Sequence, residues 1–270
     1  MPERYIALVT GASSGIGEAT ARRLAGQPGT ELILVARRAE RLEALAGELG
    51  GAHVIAADLT DPEVPARIAA EIRERHGALH LLVNNAGAAW RGAFADTGWA
   101  GVERHMRLNF EAPVRLVEAL LPLLRATAAS RPDGDARRVA IVNVASTAGR
   151  VARPRSGAYS AAKFALAGWT DALYYEELPH GVHVGLVLPG FVRTEGFPAE
   201  ELRARALTRW MVSEVDGVAE AILEAGPGGR PERYVPRWYW IPAALRVLAP
   251  GLVRRAVARG AFTTRTGGRD

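Results

Sequence analysis

The chain has 270 residues, 49% of them hydrophobic, no cysteine, and a formal net charge of +5 at pH 7. That suffices for one full α/β core and is short for two, and the missing cysteine excludes disulfides, thiolate nucleophiles and cysteine-bound metals. The charge is uneven: residues 230–270 hold nine arginines against Glu232 and Asp270, or +7, leaving −2 for the rest, which argues against a nucleic-acid groove across the body.

In chain order, Tyr5–Val9 reads as a strand, followed by a glycine-rich turn and a helix to about Gly26. Leu32–Ala36 is the next strand, with a helix to Leu49 behind it. His53–Ala57 is a short strand, Pro62–His76 a helix, and Leu79–Asn84 a strand. The spacing then predicts a long helical stretch over Val102–Ala128, a strand at Arg138–Ala145, a helix at Ala158–Leu178 and a strand at Val182–Leu188. Arg131–Arg137 reads as a solvated loop. Strands alternating with helices at this spacing imply βαβ units with right-handed crossovers. The expected fold is α/β, a doubly wound parallel sheet in three α/β/α layers. No run of 18 apolar residues exists, so no membrane-spanning helix is expected, and a cytoplasmic location fits.

The chemistry-bearing residues fall at strand ends. Gly11, Ser13, Ser14, Gly15, Ile16 and Gly17 form a Gly/Ser turn between a strand and a helix. Glycines there let backbone approach a pyrophosphate at a helix N-terminus, where unpaired N–H groups favour anions. The plainer alternative is an ordinary strand–helix turn. Arg37 and Arg38 end the second strand, with no acid before Glu40. A site selective for NAD places a carboxylate there, whereas two guanidiniums suit the 2′-phosphate of NADP(H). Cations that merely decorated the next helix would oppose its dipole. Asp58 ends the third strand and suits either an adenine contact or a cap of the following helix. Asn84, Asn85, Ala86 and Gly87 follow the fourth strand, and Ser146 ends the fifth. Lys163, the one lysine among 34 basic residues, lies four residues after Tyr159, on the same helix face. Lysine's compact, movable charge beside a phenol suggests a pKa-lowering partner for a general acid/base. His180 and His183 have no carboxylate or cysteine partners, so no metal site is expected. Ser146 lacks the Gly-x-Ser-x-Gly elbow of a hydrolase.

Together the Thr10–Gly17 turn, Asn84–Gly87, Asn109, Ser146, Tyr159-x-x-x-Lys163 and Pro189–Thr194 resemble, in order and spacing, the short-chain dehydrogenase/reductase family. The resemblance covers about residues 5–195 and implies a Rossmann-like domain that transfers hydride between a nicotinamide and a carbonyl or secondary alcohol. It implies that Tyr159 exchanges the proton, Ser146 holds the same oxygen, and Lys163 lowers the Tyr159 pKa and binds ribose. Asn109 would hold a water that links Lys163 to solvent. Gly11, Gly15 and Gly17 would line the pyrophosphate, Asp58 and Asn85 the adenosine half, and Pro189, Gly190 and Thr194 the nicotinamide. The implied cofactor shell also takes in Ser13, Ser14, Ile16, Arg37, Arg38, Leu59, Ala86, Gly87 and Val192. A homo-oligomer, dimer or tetramer, is expected from the same resemblance.

Beyond Thr194 the pattern loses detail. Residues 1–229 are expected to form the catalytic domain, with a substrate lid at about 195–212, and 230–270 a basic, aromatic extension. Phe197, Leu207, Trp210 and Met211, with Trp90 and Trp99, suit an apolar pocket and a lipophilic small-molecule carbonyl, although ordinary helix packing explains the lid residues equally well. In the extension, Trp238-Tyr239-Trp240-Ile241-Pro242 precedes apolar turns with arginines. Such a segment suits a membrane interface, but the plainer expectation is a helix packed over the cleft or a neighbouring subunit. A catalytically silent NADP(H) sensor or scaffold is the alternative to an enzyme. It is disfavoured because Asn109, Ser146, Tyr159 and Lys163 are all present.

Overall fold

Tyr5–Thr10 (β1) and Ala140–Val144 (β5) are buried along their whole length, with no polar face. Such strands must be covered on both sides. The computed structural model describes residues 4–131, 137–195 and 211–260, and it shows that cover. The other strands are Thr30–Ala36 (β2), His53–Ala56 (β3), Leu81–Asn84 (β4), His183–Pro189 (β6), the short pair Phe191–Val192 (β7) and Val212–Ser213 (β8), and Glu232–Val235 (β9). Seven of them form one sheet in the order β3-β2-β1-β4-β5-β6-β9, with every neighbour parallel.

The two-residue period of β1 splits its side chains. Tyr5, Ala7 and Val9 enter one core with Gly15–Ala25 (α1), Ala39–Glu48 (α2) and Val215–Ala225 (α7). Ile6 and Leu8 enter the other, with Val64–His76 (α3) and Ala112–Ala129 (α5), and with Leu173 of Gly157–Glu177 (α6). The strand order reverses between β1 and β4, and a crevice opens there at the carboxyl ends of the strands, where open α/β sheets bind ligands.

Three expectations need correction. The helix placed at Val102–Ala128 begins earlier, as Phe94–Met106 (α4), and passes through a π-helical turn, Arg107–Glu111, into α5. The early start is hidden because Gly98, a helix breaker by propensity, sits inside α4 as a kink at φ +54°. The boundary at 229/230 is also misplaced, because β9 is the seventh strand of the sheet and pairs with β6. Finally, α7 was not anticipated, although Val218, Ala221, Ile222 and Ala225 carry the helical spacing. The tail continues into two short helices, Trp240–Leu248 (α8) and Pro250–Ala258 (α9). No helix among the described residues is long and apolar enough to cross a membrane.

The seam between α7 and β6 is tight. A Cβ on Gly185 would collide with the Ala225 carbonyl oxygen and sit 2.8 Å from its carbonyl carbon. Gly185→Ala is therefore expected to destabilise the protein by about 2–4 kcal/mol, because backbone must move to admit it. Urea unfolding checks this, and an unchanged midpoint would contradict the close packing.

Candidate active site

The glycine turn is built for close approach. Gly11 and Gly15 hold φ of +66° and +58°, the left-handed region that glycine enters freely. A Cβ on Gly17 would strike the Gly11 carbonyl and lie 2.7 Å from Asn85 Nδ2. Thr10 Oγ1 ties β1 to β4: it donates to the Val83 carbonyl (3.1 Å) and accepts from the backbone N–H groups of Asn85 (2.9 Å) and Ala86 (3.0 Å). Asn85 Nδ2 returns a bond to the Thr10 carbonyl at 2.9 Å. Behind them, Asn84 donates to Asn143 and Asn143 to Thr170, each at 2.9 Å. This buried polar chain joins β4, β5 and α6.

At the end of β2, Arg38 folds back on the turn and donates to Ser14 Oγ (2.8 Å) and Ser13 Oγ (3.1 Å). Glu195 pairs with Arg41 at 2.8 Å and Arg38 at 3.5 Å, so an anion reaching Arg38 meets a competing carboxylate. Asp58 does not cap the following helix. Its Oδ1 accepts from Thr60 N–H (3.0 Å) and Oγ1 (2.8 Å). The backbone bond chiefly, with a smaller pull from Arg37, holds its carboxyl below the usual range.

Asn109 is carried inward by the π-helical turn and is fully buried. Its Nδ2 donates to the carbonyls of Ala88 (2.9 Å) and His105 (3.2 Å), and its Oδ1 accepts from Ala88 N–H (3.2 Å). Ser146 sits in extended backbone, where its Oγ caps Thr147–Gly149 by accepting from Ala148 N–H at 3.1 Å. It also donates to the Pro189 carbonyl at 3.4 Å, and its hydroxyl opposes the upward shift of the Tyr159 phenol. Tyr159 and Lys163 lie one turn apart on α6, with Nζ 5.9 Å from the centre of the ring. Lys163 Nζ donates to the Val144 carbonyl at 2.9 Å. An ammonium has three donors. The single bond to a described residue leaves two for a ligand.

The electrostatics correct one expectation. Burial pushes the Tyr159 phenol above its ordinary pKa, and the opposing pull comes from the Ser146 hydroxyl and then from Arg153. Burial also lowers Lys163 to about 8. For these two side chains, loss of hydration outweighs the Lys163–Tyr159 pairing that the sequence suggested.

One cleft of about 530 Å³ is lined by every catalytic and cofactor residue expected from the sequence except Gly17, which lies behind the turn. Ala36, Ala57, Leu108 and Glu195 also border it. Gly190, on its wall, has no room for a side chain, since a Cβ would lie 2.6 Å from the ring of Tyr239. Met211 packs with Phe191 and Tyr239 beside this wall. Trp90 donates its backbone N–H to His105 Nε2 at 3.1 Å, and Trp99 is surface-exposed on α4. Phe197, Leu207 and Trp210 lie outside the described residues.

Two residues near Tyr159 escaped sequence reading. His105 is buried edge-on to both Trp90 (5.0 Å) and Tyr159 (6.1 Å), and its Nδ1 bonds the Gly101 carbonyl at 2.7 Å. Accepting at Nε2 assigns the neutral Nδ1–H tautomer. Arg153 stacks 4.7 Å over the Phe191 ring, and burial lowers its pKa. Neither carries a local motif, since each is brought in by the packing of distant segments.

The family model for short chain dehydrogenase matches residues 5–203. The chain belongs to that family. It is 32% identical over 270 residues to mouse dehydrogenase/reductase SDR family member 7B, a match that covers 94% of this chain and 80% of that one. Against the bovine protein of the same name the match is 34% and covers 70% of this chain but only 58% of that one. Oxidoreductase UcpA of Escherichia coli is 38% identical over 193 residues, covering 70% and 69%. A short-chain dehydrogenase structure from Streptomyces avermitilis aligns with a TM-score of 0.76 at 29% identity, covering 96% and 99%. The RhlG/NADP active-site complex of Pseudomonas aeruginosa gives 0.72 at 29%, covering 83% and 90%. These relatives make the chain an oxidoreductase of the short-chain dehydrogenase family, with a nicotinamide cofactor.

Proposed function

We propose that this dehydrogenase uses NADP(H) to interconvert a lipophilic ketone and its secondary alcohol, with Tyr159 as the general acid/base. The observation that carries the reading is convergence. The Ser146 and Tyr159 hydroxyls meet in one cleft with Lys163 and Asn109, and Arg37 and Arg38 line the same cleft. The glycine cradle, the two remaining Lys163 donors and the paired guanidiniums fit a phosphorylated dinucleotide. The presence of NADP in the RhlG complex, and of 5-hydroxy-NADP in a Thermococcus sibiricus alcohol dehydrogenase with TM-score 0.72 at 26% identity, supports the choice of cofactor.

When bound, the cofactor supplies the hydride. The protein does the rest. Ser146 and Tyr159 present two hydroxyls to one carbonyl oxygen and stabilise the charge that grows there. Tyr159 delivers a proton to that oxygen as the carbonyl carbon is reduced. Burial keeps the phenol protonated at neutral pH, which is the form that reduction needs. Lys163, below about pH 8, holds a positive charge behind the phenol and stabilises the phenolate left after proton transfer. The apolar cluster of Phe191, Met211 and Tyr239, packed behind Gly190 on the cleft wall, supports a lipophilic substrate.

Oxidation of NADPH and NADH with a panel of aliphatic, aromatic, steroid-like and polar carbonyls tests the reading. NADPH-dependent turnover of apolar ketones is the expected result, and turnover of polar carbonyls alone overturns the substrate assignment. Arg37→Asp is expected to weaken NADPH binding about 30-fold while NADH changes little, since one charge-assisted phosphate contact is lost. An unchanged preference would show that this arginine does not meet the phosphate. The oligomer is supported by Phe164, Tyr175 and Leu178, exposed apolar residues that share one line along α6 and its end.

A further inference from the structure

Helix α8 is oriented against the usual rule. Its seated side is Pro242 and Ala243, which close a small cavity with Thr147, Val151, Arg153, Phe191 and Tyr239. Its outer side is apolar. At 3.6 residues per turn, Trp240, Ile241, Leu245, Val247 and Leu248 share an arc of ~160°. All five are exposed, Val247 at 78% and Leu248 at 80%. In α9, Leu252 is also exposed, at 61%, while Val253 is buried. Arg254, Arg255 and Arg259 of α9 and its end are likewise exposed. Among the described residues no ion pair holds Arg246, Arg254, Arg255 or Arg259, and no acid lies between Arg233 and Gly260. Scattered apolar residues are ordinary on a surface, but a contiguous apolar arc rimmed by one sign of charge marks an interaction face.

We propose that this face of α8 and α9 docks on an anionic phospholipid surface. The apolar arc would enter the acyl boundary while the arginines meet phosphate headgroups and keep their charge in water. The +7 of residues 230–270, on a chain otherwise at −2, is the complement of such a surface. A second copy of the chain fits worse. A twofold contact sets the same patch against itself, and here it would bring two unpaired arginine clusters together. The face is also coupled to the cleft. Tyr239, at the root of α8, stacks on Trp238 at 4.2 Å and presses on Gly190. Docking would therefore set the cleft wall beside the bilayer.

The test is co-sedimentation of the full chain with vesicles of phosphatidylglycerol and phosphatidylcholine, and of phosphatidylcholine alone, with sedimentation velocity in parallel. The expected result is binding to the anionic vesicles only, weakening as salt rises. Leu245→Ser/Val247→Ser/Leu248→Ser changes only exposed side chains and should lower the partition coefficient at least about 30-fold. Arg254→Glu/Arg255→Glu should lower it about tenfold or more without touching the apolar arc. Failure of the full chain to bind anionic vesicles overturns the proposal, as does binding that neither variant weakens. A fall in oligomer size in the serine variant overturns it too, because the face would then be a subunit contact. None of these readouts depends on turnover, so the catalytic reading stands or falls separately.

Discussion

Tyr159→Phe is expected to lower kcat by about 10³-fold while binding of the nicotinamide cofactor persists. The phenol is the acid that lines the cleft together with the Ser146 hydroxyl. Phenylalanine keeps the ring, its edge contact with His105 and its packing volume. Ser146 does not become a buried orphan, since it still meets Ala148 N–H and the Pro189 carbonyl. Stability should therefore shift by no more than about 1 kcal/mol, the net worth of one hydrogen bond. The measurements are single-turnover reduction of an apolar ketone, cofactor fluorescence and thermal unfolding. A variant that retains a tenth of the rate would assign the proton to another group. A variant that loses cofactor binding as well would mean that the phenol holds the cofactor cleft together.

Lys163→Met should abolish activity, by about 100-fold or more, and at the same time stabilise the fold. The ammonium is 4% exposed and makes a single hydrogen bond, to Val144, among the described residues. Burial lowers its pKa from 10.5 to about 8. That difference sets an upper bound of about 3 kcal/mol on the cost of keeping the charge inside. Below about pH 8 lysine is protonated in both folded and unfolded chains, and the folded state bears the full cost. Between about 8 and 10.5 the unfolded chain holds more protons, so stability rises with pH and the cost fades. Methionine should thus add about 1–3 kcal/mol at pH 7, after loss of the Val144 bond, and progressively less as pH rises toward 10.5. Urea unfolding of both proteins across this range decides the matter. A methionine variant less stable at pH 7 would show that the charge is well solvated in its pocket.

Much of the site was legible before any fold was known. Each strand that ends at the cleft is a short apolar run, and each run is closed by the residues that matter: Gly11, Arg37, Asp58, Asn85, Ser146 and Pro189. A parallel sheet sets all its carboxyl ends on one edge, so strand-end residues far apart in sequence meet there. Tyr159 and Lys163 were legible for a simpler reason, because four residues of helix make one turn. His105 and Arg153 were not. His105 meets Tyr159 from the kinked helix α4 and Arg153 comes from the loop before α6, and neither is set by local periodicity.

The sequence by itself determined the layered α/β fold, the glycine cradle and the Tyr159–Lys163 pair, because each is written in contacts within a few residues of the chain. Only the tertiary structure decided the rest. It placed β9 in the sheet rather than in a separate tail, since strand pairing with β6 joins residues far apart in sequence. It moved the Tyr159 phenol up rather than down, since hydration is lost to the whole surrounding core and not to one neighbour. It also turned the apolar side of α8 outward, since Pro242 and Ala243 are the side that closes the cavity beside Phe191. Pairing, burial and orientation all depend on distant segments meeting, and a linear pattern holds no record of that.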